Sequence, residues 1–145
     1  MRGRRSATAA LSGKAGEGVS ALLTRHAWTD TLTIDVFRCE SYPCVRVGGE
    51  GEERGAEVLG GILAHLIRSG YTRIIMDTRD LRFMDQHTCT AVVDAINLLD
   101  DEDGMLVLVD SSLPVERSLK LLDLERLVHV APSLSQAVAY LDWHE

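Results

Sequence analysis

Apolar and polar residues alternate through Thr31-Leu32-Thr33-Ile34-Asp35-Val36-Phe37 and again through Cys44-Val45-Arg46-Val47. A period of two marks a strand with one wet face. Glu40-Ser41-Tyr42-Pro43 reads as a turn between them, so the two strands are expected to form an antiparallel hairpin. Gly48-Gly49 breaks the second strand, and residues 50–54 read as a charged loop. From Ala56 the period becomes helical. Val58, Leu59, Ile62, Leu63, Leu66 and Ile67 fall on one stripe, which Ser69-Gly70 closes with a glycine C-cap.

Residues 73–77, containing Ile74-Ile75-Met76, predict a central strand that is apolar on both faces. A short polar stretch, read as a surface loop, returns the chain to Phe83-Met84. Asp85 then stands where it can cap a helix whose inward face is Cys89, Val92, Val93, Ile96 and Leu99. The acidic run Asp100-Asp101-Glu102-Asp103 meets the negative end of the helix dipole, so this end is expected to fray before Gly104. Met105-Leu106-Val107-Leu108-Val109 predicts a second doubly buried strand. Pro114 starts a short helix through Leu122, residues 127–130 a short strand, and Pro132-Ser133 a final helix through Leu141. Strands alternating with helices imply right-handed crossovers and an α/β fold with one mostly parallel sheet, an antiparallel edge strand and about four helices.

Composition changes this picture at one end only. Residues 1–27 hold Arg2, Arg4, Arg5, Lys14 and Arg25 against Glu17, a balance of +4 that leaves −11 for the rest of a chain whose total is −7. Rich in Gly, Ala and Ser and without apolar periodicity, residues 1–27 are expected to be a disordered basic tail, with one domain over residues 28–145. The tail lacks the continuous apolar stretch of a secretory signal, and no run reaches the ~20 residues of a membrane span. A cytoplasmic protein is expected. An acidic folded part argues against nucleic acid as a partner. The odd cysteine count (Cys39, Cys44, Cys89) argues against a disulfide framework. Cys39 and Cys44 flank the turn and could face each other, but no further ligands stand at finger-like spacing, so no metal and no cofactor are expected.

The order of these elements resembles the STAS domain, the fold of bacterial anti-sigma factor antagonists, over residues 32–141. Val47-Gly48-Gly49-Glu50 is similar to the family's strand-to-glycine turn before the first helix. Ile74-Ile75-Met76-Asp77 through Phe83-Met84-Asp85 is similar to its strand, aspartate and phenylalanine-apolar-aspartate signature, and Leu121-Leu122-Asp123-Leu124 with Val128-His129-Val130 to its closing elements. In phosphoregulated members, the aspartate equivalent to Asp85 precedes two small hydroxylic residues and a glycine, and a partner kinase phosphorylates the first hydroxyl. Here Gln86 takes that phosphoacceptor position, His87 the next and Thr88 the glycine's. Glutamine has no hydroxyl to modify.

The resemblance implies a binding module, not an enzyme, that regulates transcription by binding an anti-sigma factor that is also a GHKL-type serine kinase. The implied contact residues are Asp85, Gln86, His87, Thr88 and Thr90, flanked by Gly49 and Glu50. Thr88 is the weaker candidate phosphoacceptor, on the expectation that it is exposed. The alternative is a structural STAS subunit of a larger signalling or transport assembly. The sequence leaves the oligomeric state open, a homodimer included. His87 reads as a surface contact, because no nucleophile stands within reach of it as a base. Asp77, at the end of a buried strand, is expected to bond nearby loop amides.

Overall fold

A computed structural model describes residues 26–28, 32–51, 53–109, 117, 119–120 and 123–144. Six strands form one sheet in sequential order: β1 (His26–Trp28), β2 (Leu32–Cys39), β3 (Tyr42–Gly51), β4 (Arg73–Met84), β5 (Met105–Val109) and β6 (His129–Ala131). The pairs β1–β2 and β2–β3 are antiparallel, and the other three pairs are parallel. The expected α/β architecture, one mostly parallel sheet, is the one observed; the antiparallel strand expected at the edge is β2, and β1 pairs outside it. Three helices have defined bounds: α1 (Glu53–Arg68), α2 (Gln86–Asp100) and α3 (Leu134–Trp143). Most of the short helix expected from Pro114 to Leu122 lies outside the described residues, as do residues 1–25 of the expected tail. β1 was not predicted.

Strand alternation sorts the core into two layers. Ile34, Val45, Val47, Ile74, Met76, Leu106 and Leu108 face α1 and α2, which contribute Leu59, Leu63, Leu66, Val92, Ile96 and Leu99. Cys44, Ile75, Val107 and Val109 face the other way, against Ala137 and Leu141 of α3. α1 buries the predicted stripe but begins earlier than expected, with the acidic Glu53 in its first turn, where the dipole favours it.

The hairpin turn is tighter than expected. Glu40 and Ser41 form it, with Glu40 at φ 57°, while Tyr42 and Pro43 belong to β3. A positive φ suits the twist of a two-residue hairpin turn. Cys44 therefore pairs with Phe37 and Cys39 with Tyr42, so the two cysteines are not directly opposed, and no disulfide links them.

The larger correction concerns residues 78–84, expected to be a loop. β4 continues through them to Met84 because β3 also continues, through Gly48, Gly49, Glu50 and Gly51, and supplies a ladder. Among the described residues β5 ends opposite Asp77, so beyond it β4 pairs with β3 alone, and Arg79, Asp80 and Arg82 are exposed. That explains why this half is polar although it is a strand. The C-terminus of α2 does not fray either. Leu99 accepts from the amides of Glu102 (2.9 Å) and Gly104 (2.7 Å), which closes the end despite its acidic residues.

Candidate partner-binding site

Asp85 follows β4 directly and caps α2. Its backbone is extended (φ −83°, ψ −177°), and its Oδ1 accepts from the Thr88 amide at 2.9 Å, satisfying an amide that the first turn leaves unpaired. The Thr88 hydroxyl donates to the same oxygen at 3.0 Å, and Nδ1 of His87 lies 3.2 Å from Oδ2. Burial pushes the Asp85 carboxyl up, but the bonds from the Thr88 amide, His87 and the Thr88 hydroxyl outweigh it and hold its pKa below the usual carboxylate value.

Gln86, His87 and Thr90 are exposed on this first turn. The Thr90 hydroxyl donates back to the Gln86 carbonyl at 2.9 Å. Thr88 corrects an expectation. It is fully buried, with its hydroxyl committed to Asp85, so it does not offer the exposed hydroxyl that was expected. Its position four residues before Val92, on the buried stripe of the helix, was the available signal.

The sheet brings the other predicted residues alongside. Gly49 pairs with Leu81 and Glu50 with Phe83, with an irregularity in the ladder between Gly49 and Glu50. Gly49 has φ 95°, a conformation that glycine adopts without the Cβ penalty. Glu50 is exposed and lies 4.0 Å from Arg82, a contact of little energetic weight at this exposure. Phe83, in the apolar pair to which the polar stretch returns, is 47% exposed, two residues before the cap. An exposed aromatic beside a polar helix start is the feature that the sequence pattern missed.

Asp77 belongs elsewhere. It lies on the same face as Ile75, fully buried, and accepts from the Arg79 amide (3.1 Å), Arg79 Nε (3.0 Å), Arg79 Nη2 (2.9 Å) and Arg46 Nε (3.2 Å). Burial alone raises its pKa, but the bonds from Arg79 and then Arg46 hold it below the usual value. The expected amide bond is present, and two guanidinium groups complete the neutralisation. Arg46 also lies over the Phe37 ring at 4.9 Å. This cluster ties β3 to β4 on the face opposite α1 and α2.

All three cysteines are free. Burial pushes the Cys44 thiol up to about 12 and the Cys89 thiol up to about 11. Among the described residues, no group of three or more His, Cys, Asp or Glu is arranged to hold a metal ion, and no helix is long and apolar enough to cross a membrane.

No curated protein matches the chain by sequence. Solved structures match its fold. An anti-sigma factor antagonist from Mycobacterium paratuberculosis superposes with a TM-score of 0.70 at 18% identity, over 78% of this chain and 96% of that one. The anti-sigma factor antagonist SpoIIAA in its unphosphorylated form gives 0.65 at 19% identity, over 75% and 96% of the two chains. The Bacillus cell fate determinant SpoIIAA in its phosphorylated form gives 0.61 at 19%, over 74% and 98%. At such identity these are likenesses of fold. The sequence model of the STAS domain matches residues 18–137, most of the chain. The chain belongs to the STAS domain family.

Proposed function

We propose that this protein is an anti-sigma factor antagonist-like binding module. In this reading it regulates transcription by holding an anti-sigma factor with serine-kinase activity, and is not itself phosphorylated. The observation that carries the reading is Gln86, an exposed uncharged side chain on the first turn of a helix capped by Asp85. A phosphate there would add about −1.5 to −2 charges and repel a closely fitting partner. Glutamine keeps the position neutral, so it mimics the unmodified, binding-competent state. The Bacillus relative is known in a phosphorylated form, a state that Gln86 forecloses at its own position. With Thr88 buried, Thr90 is the remaining hydroxyl of this turn that solvent reaches.

The contact takes in Phe83, Gln86, His87 and Thr90, with Gly49 and Glu50 beside them. The protein performs no chemistry of its own and works in the cytoplasm. Its binding displaces a sigma factor from the anti-sigma factor. To test this, the protein is mixed with each GHKL-type serine kinase of the source organism and ATP, then followed by size-exclusion chromatography and intact mass. The reading expects a complex that persists with the mass of this chain unchanged. A stoichiometric phosphate on Thr90 would sink the unmodified version. Absence of binding to every such kinase would favour a structural subunit of a larger assembly.

A further inference from the structure

A groove of about 470 Å³ runs between α1 and α2. Its floor is made of small residues, Gly60, Ala64, Ala91 and Ala95, because the helices approach closely: a Cβ at Gly60 would lie 3.6 Å from that of Ala91. Its rim is acidic. Glu53, Glu57 and Asp94 line it, all exposed, and none forms an ion pair among the described residues. No Lys or Arg occurs in α2, and neither arginine of α1, Arg54 or Arg68, lines the groove. Glu53 and Glu57 stand one turn apart, a like-charge spacing that opposes the helix. An occupant that fits must bring cations for the rim and small or apolar side chains for the floor.

Residues 1–25 of this same chain have that chemistry. Arg2, Arg4, Arg5 and Lys14 are interspersed with Ala7, Ala9, Ala10 and Leu11. The segment enters the fold at β1, beside β2, and Leu32 at the start of β2 packs against Gly55 of α1. Reach is not limiting, since 25 residues extend over as much as ~80 Å while a helix is about 10–12 Å across. We propose that the basic segment 1–25 docks into the acidic groove between α1 and α2 and covers His87 and Thr90. The segment thereby masks part of the surface assigned above to the partner. This docking needs no partner, so its test stands apart from that reading.

The test uses amide NMR shifts of the full chain. In the variant Arg2→Glu/Arg4→Glu/Arg5→Glu, the amides of Gly60, Ala91 and Asp94 are expected to move from their wild-type positions. High salt should move wild-type amides the same way, because screening removes the attraction. Reciprocally, Glu57→Gln/Asp94→Asn should shift the amides of residues 2–14 and speed tryptic cleavage after Lys14 by roughly three- to tenfold, the scale of a few exposed ion pairs. Unchanged amides of Ile75 and Val107 show that each variant is folded. Groove amides that ignore the arginine substitutions would overturn the proposal. So would shifts that grow with protein concentration, which would assign the groove to a second copy.

Discussion

Replacing Asp85 with alanine tests how the start of α2 is held. The change removes the acceptor for the Thr88 amide at 2.9 Å, and loss of an N-cap costs about 1 kcal/mol within a range of ~0.5–2. It also takes the partner from the Thr88 hydroxyl, which is fully buried, and an unsatisfied buried hydroxyl adds about 1–3 kcal/mol. Asp85→Ala should therefore cost about 2–4 kcal/mol, read as a lower urea midpoint at unchanged slope. Asp85→Asn keeps an oxygen acceptor and should cost under about 1 kcal/mol at pH 7. Asp85→Ala/Thr88→Val removes both partners, so its cost should fall short of the sum of the singles. The folded carboxyl of Asp85 has a lowered pKa, so its contribution is full above the unfolded value of ~3.9 and disappears as pH falls through the folded value. The advantage of wild type over Asp85→Asn should thus vanish in acid. Asn as costly as Ala, or an Ala cost below about 0.5 kcal/mol, would refute this account of the cap.

Other consequences are as direct. Arg79→Ala should destabilise by about 2 kcal/mol and Arg46→Ala by roughly half that, because Arg79 gives Asp77 two side-chain bonds and Arg46 one; equal losses in urea titrations would contradict the assignment. Gly104→Ala should cost about 2 kcal/mol or more, since a Cβ there would collide with the Thr72 carbonyl oxygen and lie 2.9 Å from Leu99 Cδ2. By contrast Gly61→Ala, with nothing near its Cβ on an exposed face of α1, should raise thermal stability by about 0.5–1 kcal/mol. In a thiol titration of the native protein, Cys39 should react first. Cys44 and Cys89 should wait for unfolding, because burial shields them and holds them protonated.

The elements with strong periodicity were legible from the chain alone. The stripe of α1, the cap at Asp85 and the two central strands all lie where alternation and turn residues put them. The extension of β4 was not, because Thr78, Arg79, Asp80 and Arg82 carry the polarity of a loop. That polarity goes with exposure: among the described residues β5 ends opposite Asp77, while β3 runs on beside β4 to Gly51. The same irregular edge turns Phe83 outward, which no local period announces. The small polar side chain of Thr88 suggests exposure, whereas a threonine three residues after a capping aspartate can satisfy its hydroxyl internally. The acidic groove depends on which faces of α1 and α2 meet, and nothing short of the tertiary packing brings Glu57 and Asp94 to one rim.

We propose that a protein partner docks on the neutral start of α2. The most direct test is the affinity of the partner kinase for wild type, Gln86→Ser and Gln86→Glu, each titrated by calorimetry without ATP. Wild type and the serine variant are expected to bind alike, and the glutamate variant at least about tenfold more weakly, because a charge enters a closely fitted contact. Equal affinity across all three proteins would contradict it and move the docking surface off this helix.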